Sequence, residues 1–246
     1  MLDAPRFNAW HTSVEQSAPC DLIVRHALGL PPGMVSNSLL SWAAIAEVTD
    51  ALRLAPGQTL ADLACGRGGY GREVARRTGA RLLGSDFSDV AIAIAARAAD
   101  RDVRFWVGDF TAVALRDGAV DAVMCIDAIQ FAEPTLAGLA ECRRILTGGG
   151  RLAITGWEPL DPADERLPER IRRMDLARDL TEAGFEQIAV TTKPDWYAAE
   201  RALCEAALRA DADGDRALIA LQEEATGMLD TFDARRRVLA TATAPS

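Results

Sequence analysis

The sequence predicts an α/β fold built on a doubly wound, mostly parallel sheet. Three observations predict it. Short apolar strand candidates alternate with amphipathic helix candidates between residues 56 and 192. Those strand candidates lack clean period-two alternation, as strands covered on both faces do. A glycine-rich turn joins the first strand candidate to the helix behind it. Successive βαβ units of this kind wind with right-handed crossovers.

The elements follow in order. Residues 1–55 precede the first strand and read as a helical cap, with 39–54 the clearest segment. Strands are expected at 59–64, 81–85, 103–107, 121–126 and 151–155. A helix at 71–78 stops at Gly79, a suitable C-terminal cap. Ser88 suits the N-cap of a helix at 89–99. A helix at 134–146 has proline in its first turn and an apolar stripe of Leu136, Leu139, Ala140 and Leu146. Gly148-Gly149-Gly150 then turns the chain into the fifth strand. A loop at 157–168, a helix at 171–183 closed by Gly184, and strands at 185–191 and 236–243 complete the core, 56–246. A helical insertion at 195–231 interrupts it and, with the cap, forms a lid.

Composition narrows the function. The formal net charge is −9, which argues against a duplex nucleic-acid partner. Arg235-Arg236-Arg237 reads as the solvated flank of a strand. The five cysteines are scattered, none in a C-x-x-C pair, and only His11 and His26 could join them around a metal; no metal site is expected. Reduced thiols, an N-terminus without a leader pattern and the lack of a membrane-length apolar run point to a soluble cytoplasmic protein, monomer or homodimer.

The central signal is Gly66, Gly68 and Gly71, a G-x-G-x-x-G directly between a strand and a helix. Glycines there let a ligand approach the backbone, and the helix N-terminus favours anionic groups. Alone, the pattern also marks nicotinamide and flavin sites. Three neighbours sharpen it. Asp62 lies inside the first strand. Asp86 ends the second, where a carboxylate can accept both ribose hydroxyls. Gly108-Asp109-Phe110 follows the third, placing an acid and a ring within reach of an adenine.

With these residues in place the chain resembles the class I S-adenosylmethionine-dependent methyltransferases, in particular bacterial small-molecule enzymes. The resemblance covers roughly residues 56–192. It rests on Leu60-Ala-Asp-Leu-Ala-Cys-Gly-Arg-Gly-Gly-Tyr-Gly71, Gly84-Ser-Asp-Phe-Ser88, Gly108-Asp-Phe110, the fourth-strand segment 120–131 and the fifth-strand segment 145–155. It implies a Rossmann-like seven-stranded sheet in the order 3-2-1-4-5-7-6 with strand 7 antiparallel. It implies S-adenosylmethionine as cofactor and S-adenosylhomocysteine as product. The backbone of Ala64, Gly66 and Gly68 would hold the methionine part, with Asp62 supporting the loop. Asp86 would hold the ribose and Phe87 would lie on the adenine. Gly108, Asp109 and Phe110 would take the adenine edge, and Cys125 and Ile126 would line the sulfonium pocket.

Methyl transfer from a sulfonium is an in-line displacement, so the protein mainly positions the acceptor and strips water from it. Candidate bases are His11, in the cap, and Asp127, just after the fourth strand; Gln130 stands in the same loop and cannot act as a base. Acceptor contacts are expected from Trp10, Gln130, Trp157, Trp196 and Tyr197. The acceptor expected is a small molecule, such as a natural-product intermediate, methylated on O, N or C. Two other readings stay open. One is a nicotinamide-dependent oxidoreductase, which would want a Tyr-x-x-x-Lys or similar set that the lone Lys193 does not offer. The other is a methyltransferase fold reused as a cyclase, isomerase or binding module.

Overall fold

A computed structural model describes residues 4–35, 38–99 and 101–246. Seven strands form one sheet: β1 (Thr59–Leu63), β2 (Arg81–Asp86), β3 (Val103–Val107), β4 (Val120–Ile126), β5 (Leu146–Pro159), β6 (Glu186–Thr192) and β7 (Arg235–Thr243). Their order is β3-β2-β1-β4-β5-β7-β6, with β7 antiparallel between β5 and β6, as expected from the resemblance. β1 is buried at every position, because a central parallel strand is covered on both faces.

The helices are α1 (Ala4–Gln16), α2 (Ala18–Leu28), α3 (Trp42–Leu52), α4 (Gly69–Thr78), α5 (Asp89–Ala96), α6 (Thr135–Ile145), α7 (Glu169–Arg172), α8 (Leu176–Glu182), α9 (Pro194–Arg209) and α10 (Arg216–Asp230). One apolar core lies under α6 and α8, around Leu139, Ile145, Leu152 and Leu180. The other lies on the opposite face under α3 and α4, around Ile45, Val48, Val74 and Leu82. The capping residues act as read: Ser88 Oγ accepts from Ala91 N at 3.1 Å, and Gly79 ends α4 in the left-handed region.

Three boundaries differ from the sequence reading. The glycine triplet at 148–150 lies inside β5, which begins directly where α6 ends and runs for 14 residues. Pairing with β7 extends β5 through Pro159, so Trp157 is a strand residue and not part of a loop. The helix expected at 171–183 is two helices, because Asp175 caps a fresh start by accepting from Arg178 N. The insertion is the antiparallel pair α9–α10, which packs with α1 and α2 into a helical layer.

Candidate active site

The strand order reverses between β1 and β4, and in such sheets ligands bind beyond the carboxyl ends at that switch. Two non-glycine residues there hold left-handed backbone: Ala64 after β1 (φ 57°) and Asp127 after β4 (φ 55°). Each conformation costs of order 1–3 kcal/mol and persists only where the surroundings impose it. The site is built around these two turns.

On the β1 side, Ala64, Gly66 and Gly68 all have positive φ and swing the chain into α4. A Cβ on Gly68 would stand 2.6 Å from the Phe105 ring, and one on Gly71 would strike the Asp62 carboxylate. Asp62 is buried and accepts from the Gly71 amide, bracing the junction of loop and helix. Asp86 accepts from Gly66 N at 2.8 Å and from Ser88 N at 2.9 Å. Burial raises both carboxyls above the usual carboxylate range, Asp62 the more so because Asp86 faces it. Neither has an ion-pair partner among the described residues. Two buried acids with no cation between them fit a cationic ligand such as a sulfonium.

The remaining expected cofactor residues are placed as follows. Phe87 is half-buried and meets Phe7 of α1 edge-on at 5.1 Å; Phe7 in turn meets Phe131 at 5.9 Å. Gly108 N donates to Asp86 O at 2.9 Å, and Asp109 is exposed with one oxygen held by Thr111 N and Oγ1. Phe110 departs from the expected adenine contact: its ring is buried in the α6 core against Gly138, leaving only its backbone to the site. Cys125 likewise faces the α6 core, wholly buried, and burial pushes its thiol well up; Ile126 faces the opposite core.

On the β4 side, Asp127 is not a free base. Its carboxylate is forked by Arg237, Nη1 at 2.6 Å and Nη2 at 2.8 Å, and also accepts from Ser38 Oγ, Leu39 N and Thr155 Oγ1. Arg237 holds it below the usual carboxylate range in spite of burial. This corrects the assignment of Asp127 as a proton acceptor: an acid so paired is a poor one. His11 is also buried, and burial together with Arg67 of the glycine turn lowers its pKa to about 4. Gln130 donates to Asp127 O at 2.7 Å, while its buried Oε1 has no hydrogen-bond partner.

The expected acceptor aromatics divide. Trp157 lies under Arg237, whose Cζ is 4.2 Å from the ring, and its Nε1 donates to Glu200 at 2.9 Å. Tyr197 is half-buried and stacks on Phe232 at 3.7 Å. Trp196 is instead a packing residue, buried with its Nε1 on Glu47, tying α9 to α3. Trp10 packs α1 against α2 and α10.

The arginine triplet is the largest surprise. Arg237 is wholly buried and Arg235 nearly so, between Asp127, Glu200 and Trp157; only Arg236 reaches solvent. The sequence held one signal for this. A seventh strand lodged between β5 and β6 is interior, so alternate residues along it cannot be solvated. Phe7, Phe131 and Glu200 carried no comparable signal.

Comparisons with known proteins agree with this geometry. Residues 61–154 match the family described as methyltransferase domain. The matched segment runs from β1 into β5, and a methyltransferase domain therefore lies there. A sterol 24-C-methyltransferase of Gibberella zeae is 33% identical over 128 residues, 49% of this chain and 33% of that protein. The chain thus spans about a third of the length of such curated relatives. Among solved structures, the [4+2]-cyclase SpnF superposes with a TM-score of 0.71 at 21% identity, covering 92% of each chain. Geranyl diphosphate C-methyltransferase from Streptomyces coelicolor A3(2), solved with Mg2+, geranyl diphosphate and S-adenosyl-L-homocysteine, gives 0.68 at 17% identity, covering 92% of this chain and 98% of that one. At these identities the structural likeness shows the fold. Among the described residues, no helix is long and apolar enough to cross a membrane and no group of three His, Cys, Asp or Glu is placed to hold a metal.

Proposed function

We propose that this chain transfers the methyl group of S-adenosylmethionine to a small-molecule acceptor. The observation that carries the reading is the pair of buried acids without an ion-pair partner among the described residues, Asp62 and Asp86, set around a glycine turn at the carboxyl end of β1. When bound, the cofactor supplies a methyl group already activated on a sulfonium. Asp86 and the amides of the turn would orient it, and Phe87 with Phe7 would close over its base. The chain's other residues would hold the acceptor in line and exclude water. Gln130 Oε1 suits that task, because it is buried, fixed through its own amide and still able to accept a hydrogen bond. With Asp127 paired and His11 weakened as a base, the reading is catalysis by proximity and desolvation.

The helical layer of α1, α2, α9 and α10, joined to the loop at residues 38–40, would form the lid of the acceptor chamber. Tyr70 of α4 donates to Leu40 O at 2.8 Å, so that loop is fastened to the donor helix. The net charge disfavours a nucleic-acid acceptor, and five free cysteines suit a reducing, cytoplasmic setting. The likeness in fold to a [4+2]-cyclase over 92% of the chain supports one second reading, in which the cofactor serves as a fixed cation for a reaction without methyl transfer.

Calorimetric titration with S-adenosylhomocysteine, with NADH as control, tests the donor assignment. Binding of the first and not the second is expected, and binding of NADH alone overturns it. Incubation with methyl-labelled cofactor and candidate acceptors separates the two readings: label in the product supports transfer, and turnover of acceptor without label supports the second.

A further inference from the structure

Buried polar groups are almost always hydrogen-bonded, so an exception asks for a reason. Gln130, in the turn Ile129–Phe131, is such an exception. Its side chain is buried, and its Oε1 has no hydrogen-bond partner among the described residues. An unmet acceptor of this kind is costly wherever water does not reach it. The amide cannot turn round to relieve the cost. Nε2 donates to Asp127 O at 2.7 Å, and the reversed amide would set oxygen against oxygen. The backbone of the turn is pinned too, because Arg173 Nη2 donates to Gln130 O at 3.3 Å and to Ala132 O at 2.9 Å. The oxygen is therefore held in one place.

That place is beside the carboxyl end of β5. Gly156 is buried there, and a Cβ built on it would meet only Gln130 Oε1 within 4 Å, at 3.7 Å. Glycine inside a strand marks a bulge, a bend or a close approach by a ligand or another backbone. Gly156 is not at a bulge, since β5 pairs with β7 through it without a register shift. Its backbone lies outside the left-handed region, so conformation does not demand glycine either. The missing side chain leaves space at the one buried oxygen that lacks a donor. Next to that oxygen along the turn, Phe131 meets Phe7, and Phe7 meets Phe87 beside Asp86, so the pair adjoins the donor loop.

We infer that the acceptor carries a hydroxyl or an amine, which donates a hydrogen bond to Gln130 Oε1 from the space that Gly156 leaves. The inference deepens the methyl-transfer reading and rests on it. Gln130 is here a residue of specificity and takes no proton. A site built to receive a hydroxyl or an N–H rejects the analogue that lacks it, because the buried oxygen then stays unmet.

The protein loaded with S-adenosylhomocysteine is titrated by NMR with phenol, aniline and toluene, which share a ring and a size and differ in the donor. The side-chain amide signal of Gln130, identified by its loss in Gln130→Leu, reports contact. Phenol or aniline is expected to move that signal and to bind about ten-fold or more tighter than toluene, and the tighter of the two separates hydroxyl from amine. Gly156→Ala sets a methyl at ordinary contact distance from Oε1. It should fold, keep S-adenosylhomocysteine affinity within about two-fold and weaken the donor probe about ten-fold. The inference is overturned if the three probes bind alike, if none saturates, if the Gln130 signal stays fixed, or if Gly156→Ala leaves donor binding unchanged. It is overturned as well if Gly156→Ala costs cofactor and donor binding together, since the space would then serve the cofactor. Should Gln130→Leu not fold, the probe affinities and Gly156→Ala still decide. Should S-adenosylhomocysteine itself fail to bind, the methyl-donor reading falls, and the same titration of the unloaded protein still decides this one.

Discussion

Asp86 and Asp127 are both acids at the carboxyl end of a sheet strand, one on each side of the site, and the fold treats them in opposite ways. Asp86 is held by neutral amide donors and pushed up by burial, with no ion-pair partner among the described residues. Asp127 is forked by a wholly buried arginine and pushed down. The donor side leaves its charge to be answered by a ligand. Around Asp127 the charge is answered from within, by a residue 110 positions away in the chain. The first arrangement suits a fixed, known ligand, and the second builds a rigid floor on which varied chambers can be set.

The largest expected effect tests that floor. Arg237→Met leaves Asp127 buried without its cation and Glu200 with Arg235 alone, and removing one partner of a buried pair costs about 3–5 kcal/mol. Urea denaturation should show that loss. Neutralising the acids as well, in Arg237→Met with Asp127→Asn and Glu200→Gln, should recover part of it. A single variant as stable as wild type would mean that the network is not answering charge at all.

The next effect is a pair of opposed pH dependences. Burial raises the Glu200 carboxyl from 4.5 to about 7, so the folded protein binds a proton there that the unfolded chain has lost; stability from this group falls as pH rises from 4.5 to 7. Burial lowers His11 from 6.5 to about 4, so the unfolded chain binds the extra proton, and stability from this group rises with pH between 4 and 6.5. Each is worth about 3 kcal/mol across its window, and the two nearly cancel. Relative to wild type, Glu200→Gln should gain stability from pH 5 to pH 7.5, and His11→Gln should gain it from pH 7.5 to pH 5. Parallel curves for all three proteins would refute both assignments.

On the donor side the effects are smaller and fall on binding. Asp86→Ala should weaken S-adenosylhomocysteine by a factor equivalent to about 1–3 kcal/mol, because it removes a charged acceptor and releases the Gly66 amide. Calorimetry reads this directly, and unchanged affinity would move the ribose contact to another acid.

This contrast also explains what could be read in the sequence. The donor turn, Asp62, Asp86 and the caps at Ser88 and Gly79 are legible because each depends on residue types at short, fixed spacings. Strand order was legible only through the resemblance, since no local pattern says which strands pair. Asp127 meets Arg237 across 110 positions, and Trp157 meets Glu200 across 43. Such contacts are set by tertiary packing, so the local run Arg235-Arg236-Arg237 by itself suggests a solvent-facing flank. Trp196 and Phe110 face the core for a related reason: an aromatic in the right segment can face either the site or the core, and packing decides which.

The smallest expected effect lies where the two regions touch. Ser88 Oγ accepts from Ala91 N to cap α5 and donates to Asn8 Oδ1 of α1 at 2.5 Å, while Asn8 Nδ2 donates to Asp89 at 2.7 Å. One hydroxyl therefore serves the donor loop beside Asp86 and the helix that lies over it. Ser88→Ala should cost about 1 kcal/mol through the lost cap alone. Asn8→Ala leaves the cap intact and cuts the tether, so it should cost a few tenths of a kcal/mol in stability, the scale of an exposed hydrogen bond, yet speed release of S-adenosylhomocysteine. If α1 is the lid, the double variant should release the cofactor no faster than Asn8→Ala alone, since the tether is already cut. Additive rates would mean that α1 packs on the donor loop without gating it.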